Sequence, residues 1–176
     1  LAGFSITGDF LVDKAYLKPA ATEARYGDLT GGVVGIELRS PRSDRVGGFL
    51  DPGIGMASFG LEGPITKKAR FYVGIRRSYY ELLTKLLIPA DAPIDFAVSP
   101  FFQDQQIILE ADPAEWLRLR LAYIGTIDGM KLLATFDEDD PDALVFNQRT
   151  DMHRFSLRGD FKGPLDLTNR LQVALT

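Results

Sequence analysis

The stretch Trp116-Leu117-Arg118-Leu119-Arg120-Leu121-Ala122-Tyr123 decides the fold class. Leu117, Leu119, Leu121 and Tyr123 alternate with Trp116, Arg118, Arg120 and Ala122. Apolarity recurring at every second residue marks a half-buried β-strand, because successive side chains leave the pleated backbone on opposite sides. Adjacent arginines on the second face are tolerable only if that face is wet or counter-charged. The strand therefore separates a greasy side from a charged one. A barrel wall with a wet interior has this pattern, and so does a soluble sheet with one solvent face.

The same texture recurs outward from this strand. Gln103–Ala111 runs into a turn at Asp112-Pro113-Ala114-Glu115 and returns as Trp116–Thr126. Over Ala69–Tyr80, Phe71, Val73 and Ile75 oppose Tyr72, Gly74, Arg76 and Ser78. Arg154–Phe161 and Asp166–Leu175 form a second hairpin around Lys162-Gly163-Pro164-Leu165. Phe49–Leu61 carries Gly53, Gly55 and Gly60, which argue against a helix and for a bent strand. Gly63-Pro64 breaks it, and Thr66-Lys67-Lys68 supplies a turn. Tyr79–Ile88 fits a short helix or a strand extension, with Leu82, Leu83, Leu86 and Leu87 at helical spacing. Upstream, Val33, Val34, Ile36 and Leu38 form a strand that Pro41 stops. Residues 81–101 and 127–150 read as long connections opposite the short turns. That asymmetry belongs to outer-membrane barrels, and equally to a soluble sandwich or barrel with long loops.

Composition narrows the functional classes. The 176 residues are 45% hydrophobic and 25% charged, with a formal net charge of −4, no cysteine and one histidine. Without cysteine there is no thiol catalysis, disulfide or cysteine metal site, and lone His153 cannot build a multi-histidine site. The acidic run Asp137-Glu138-Asp139-Asp140 lacks the alternation and glycine of an EF-hand loop and reads as a solvated loop. Mild acidity gives no case for nucleic acid as a partner. No apolar run is long enough for a transmembrane helix, although a membrane β-strand escapes that test. The start shows no signal-peptide pattern. No nucleophile elbow, phosphate loop or dinucleotide fingerprint occurs, so the expectation is a non-enzyme with no cofactor and no metal.

A resemblance adds to this. Arg25-Tyr26-Gly27-Asp28-Leu29-Thr30-Gly31-Gly32 with the strand Val33–Arg39 resembles the end of the plug domain of a TonB-dependent outer-membrane receptor, and Leu11–Leu17 resembles the plug strand before it. Glu62-Gly63-Pro64-Ile65 and Phe71–Tyr79 look like the first periplasmic turn and second barrel strand. The resemblance implies an all-β fold class: a partial transmembrane antiparallel β-barrel preceded by the C-terminal part of a plug domain. Residues 1–40 would be plug, 41–47 a linker and 48–176 roughly the first six barrel strands. A closed transmembrane barrel takes about eight or more strands, so the remaining wall would come from the same polypeptide or from other chains.

On this resemblance Gly27, Gly31, Gly32, Gly63 and Pro64 shape the plug exit and turns. Arg76, Arg118, Arg120, Arg158 and Arg170 face the lumen and pair with carboxylates such as Glu110 and Asp160. Phe101, Phe102 and Trp116 are candidate interfacial aromatics. The implied function is nutrient binding and uptake at the outer membrane of a Gram-negative bacterium. The implied partners are outer-membrane lipid, the rest of the barrel and a TonB-type energising protein. The alternatives are a soluble β-sandwich binding domain, with Phe71, Val73 and Ile75 facing Leu117, Leu119 and Leu121, and a small structural or adhesive outer-membrane barrel.

Overall fold

The computed structural model describes residues 12–19, 31–87, 96–134, 144–164 and 167–176. Among these residues nine strands and one short helix follow in order: β1 (Val12–Lys18), β2 (Val33–Leu38), β3 (Gly47–Pro52), β4 (Met56–Thr66), β5 (Ala69–Ser78), α1 (Tyr80–Leu87), β6 (Phe96–Ala114), β7 (Leu117–Ala134), β8 (Leu144–Lys162) and β9 (Thr168–Leu175). β1 and β2 pair antiparallel as a two-stranded sheet, and β3 to β9 form a seven-stranded antiparallel sheet in chain order.

Neither sheet closes. Among the described residues β3 pairs only with β4, and β9 only with β8. A barrel has no edge strand, because its first and last strands must bond to each other. The expectation of a partial transmembrane barrel behind a plug is therefore overturned. The TonB-dependent receptor resemblance falls with it, as does the outer-membrane receptor and transport function it implied. The described part of residues 1–40 is a two-stranded ribbon with no buried residue.

Register makes the two faces explicit, since directly paired residues in a sheet point to the same side. One face carries the row Leu61, Val73, Ile107, Tyr123, Phe155, Leu175, and beside it Phe71, Leu109, Leu121, Leu157, Val173. The other face carries Arg70, Glu110, Arg120, Arg158 and, a row away, Arg118, Asp160, Arg170. Phe71, Val73 and Ile75 thus lie beside Leu119 and Leu121 on one face of one sheet, where the sandwich alternative had set them opposite one another.

Several boundaries differ from expectation. β6 and β7 run on to 19 and 18 residues, so much of the expected connections is strand. The β6–β7 turn falls at Glu115-Trp116, because a bulge between Ala111 and Ala114 absorbs Asp112-Pro113. Gly63 and Pro64 lie inside β4, opposite Phe71 and Arg70. Pro64 lies past Glu62, the last residue of β4 that β3 pairs, and Pro100 lies beyond the end of β5 along β6. At both sites the strand has a neighbour on one side only, the edge condition under which proline is tolerated.

Candidate functional site

The densest polar chemistry lies where residues 38–42 cross the charged face. Glu110, with a fully buried side chain, is the hub: it accepts from Arg70 Nε at 2.8 Å and from Ser40 Oγ at 3.0 Å. Register sets Glu110 directly between Arg70 and Arg120, so the carboxylate is flanked by guanidinium groups from both neighbouring strands. Arg120 stands 3.7 Å from Glu110 and donates to the carbonyls of Leu38 and Arg39 at 3.2 and 3.0 Å. Glu62 holds the other end of the crossing segment. It takes a two-pronged bond from Arg39 at 2.8 and 2.7 Å and one from the Arg42 backbone N–H at 3.0 Å. Residues expected as a linker therefore begin as a strap across the sheet, with Pro41 buried.

Charge and burial set the acidities. The Arg39 hydrogen bond holds the Glu62 carboxyl below its ordinary value against the cost of burial. Burial pushes Asp104 above its ordinary value despite the hydrogen bond from Arg76. At Asp112 and Asp160 burial is outweighed by hydrogen bonds and charge from Arg118 and Arg70, and from Arg170 and Arg158, so both carboxyls are held low. Burial lowers Arg120, with Glu110 pulling the other way. These are paired charges inside a sheet, and nothing in them sets a nucleophile beside a base.

The candidate arginines share this face. Arg76 pairs with Asp104, Arg118 with Asp112 at 2.7 Å, and Arg170 with Asp160 at 2.7 Å. Arg158 lies 3.0 Å from Asp160 and forms an ion pair with it. The face belongs to an open sheet and encloses no lumen. Gly32 sits where a Cβ would meet the Lys18 carbonyl, whereas Gly31 is in open space. Gly27 and the acidic run at 137–140 lie outside the described residues. Glu62, Arg39, Arg70, Asp104 and Gln106 were missed because only pairing register shows which charges meet.

Among the described residues no segment crosses the opposite face in this way. Many of its apolar side chains are exposed, from 38% at Leu119 to 70% at Leu175, while Leu61, Phe71 and Leu117 are half-buried. Trp116 and Phe161 stack at the turn end. Toward the other end, Tyr123 shares a hydrogen bond with His153 at 3.0 Å and accepts one from Gln105 at 3.2 Å. Beyond His153 the same side of β8 continues as Asp151, Arg149 and Asn147, all exposed. Among the described residues no group of three potential metal-ligating side chains occurs, and no helix is long and apolar enough to cross a membrane. No protein-family model matches the chain, and neither curated proteins nor solved structures yield a match.

Proposed function

We propose that the chain is a non-catalytic binding module of the all-β class, and that the apolar face of its seven-stranded sheet is the surface that binds. The inversion of burial carries this reading. Glu110, Asp104, Gln106 and Thr126 are buried, while Leu121, Leu157, Val173 and Leu175 stand exposed. A sheet with one apolar face gains stability by burying it against a second layer. The charged face is already engaged by the strap, so the uncovered face is left for a partner. The partner layer is protein, because an open sheet leaves backbone groups unpaired at its edges, which hydrocarbon penalises.

A second reading rests on the rim of the face. Aromatic rings at one end, the Tyr123–His153 pair nearer the other and charged residues beyond are how a band meets a membrane interface. In that reading the covering layer is lipid, and the outer membrane is the location that goes with it.

Light scattering of the purified chain, with and without flotation on phosphatidylcholine vesicles, separates the two. Association in plain buffer that Leu119→Ser, Leu121→Ser and Leu157→Ser together abolish, with the β-sheet circular dichroism retained, is the expected result. A chain that is monomeric in buffer and floats with vesicles establishes the lipid reading. A stable monomer that binds neither vesicles nor a hydrophobic dye sinks both.

A further inference from the structure

The row Gly60, Gly74, Gln106 crosses β4, β5 and β6 on the charged side of the sheet. Aromatic rings roof both glycines: Phe49 lies over Gly60, and the Tyr72 phenol lies over Gly74. A Cβ at either position would collide with the ring above it, so glycine is what lets the rings lie flat on the strands. Gln106, next in the row, is 3% exposed, and neither its Nε2 nor its Oε1 has a protein hydrogen-bond partner. Buried polar groups are rarely left so, and an amide with both ends unmatched costs more than an apolar side chain of the same size.

A cavity of ≈ 10 Å³ adjoins this amide, lined by Ser58, Tyr72, Gly74, Arg76 and Asp104 among others. One water requires about 10–15 Å³ of such space and roughly two to four polar partners. The volume excludes an organic ligand, and the lining supplies the partners: the Gln106 amide, the Ser58 and Tyr72 hydroxyls and the Arg76–Asp104 pair. We propose that a single ordered water is built into the sheet here, accepting from Gln106 Nε2 and donating to Gln106 Oε1 or a neighbouring hydroxyl.

The site ties three strands through side chains of the charged face and thereby fixes their register. A slip of one residue would carry Gln106 to the apolar face and strand the amide there. The proposal stands independently of what covers the apolar face.

Two measurements test it on the full chain. A high-resolution crystal structure is expected to show one water within hydrogen-bond distance of Gln106, and a well-ordered, dry cavity overturns the proposal. Thermal unfolding of Gln106→Met then reads the energetics without a structure. If the water satisfies the amide, removing it forfeits those bonds and the melting temperature falls by a few degrees. If the amide is an orphan, Gln106→Met relieves it, and an unchanged or higher melting temperature rejects the water.

Discussion

The charged face and the apolar face of the seven-stranded sheet differ in what crosses them. On the charged side the strap and the rings of Phe49 and Tyr72 cover glutamate, glutamine and arginine, and the small apolar cluster of Tyr72, Ile108 and Ala122 packs with Leu38 and Phe49. On the apolar side leucines and valines lie in register across the strands with no layer upon them among the described residues. Residue type alone would assign burial the other way round. Burial here follows the path of the chain: Glu110 and Asp104 meet their countercharges in register, and Glu62 meets Arg39 of the strap.

If the charged face is the stabilising one in the isolated chain, its hub is the most costly place to disturb. Glu110→Ala leaves Arg70 and Arg120 facing each other without their carboxylate. Breaking a buried pair in this way costs about 3–5 kcal/mol, to be read from urea unfolding. A loss under about 1 kcal/mol, the size typical of an exposed pair, would mean that water already reaches Glu110 and that the strap seals nothing. The next effect in size is steric. Gly74→Ala drives a methyl group into the Tyr72 phenol, and overpacking of this kind costs about 1–3 kcal/mol. Tyr72→Phe in the same background should leave most of that loss, since the ring as well as its hydroxyl stands in the way.

How much of this was legible depends on which periodicity carried it. The alternation Leu117 to Tyr123 identifies a two-faced strand, and the strand it names is present. Closure was not legible, because the residues of a barrel wall and of an open two-faced sheet obey the same period-two rule. Only the pairing of β3 and β9 separates the two. The prolines misled in a consistent manner: Pro64 reads as a break and Pro100 falls in an expected connection, yet each lies where its strand has one neighbour only and a missing N–H costs no ladder bond. The charge network was half visible. Arg118 and Arg120 advertise a need for counter-ions, but naming Glu110 as the hub requires the register, and the bulge at Asp112-Pro113 shifts it by an amount the sequence does not print.

The strap gives a pH-dependent form of the comparison. Glu62 has its folded-state pKa depressed by Arg39, so the stability it contributes is complete above its ordinary value and is lost as pH falls through the depressed one. Asp104 has the opposite sign. Burial raises it, so its contribution weakens as pH rises from the ordinary value through the raised one. Glu62→Gln should cost about 1–2 kcal/mol near pH 7, a charge-assisted bond being replaced by a neutral one. That difference should shrink toward zero as pH falls through the depressed value, where the wild-type carboxyl is itself protonated. Hydrogen exchange at the backbone of residues 39–42 should accelerate over the same interval. A Glu62→Gln cost that does not change with pH would show that Glu62 acts through shape rather than charge.

The smallest expected effect tests the apolar face. Leu121 sits in the middle of that face, paired with Leu109 and Leu157, and is still 45% exposed. Truncating a leucine in a closed core costs about 2–5 kcal/mol, whereas a side chain with water on its outer side has far less to lose. Leu121→Ala in the dilute, isolated chain should therefore cost under about 1 kcal/mol, close to the range of surface substitutions. The same substitution measured against a bound partner should weaken association clearly, because the partner turns half-exposed leucine into core. A loss of core size in the isolated chain would mean that the face is already covered, and the contrast between the two faces would disappear with it.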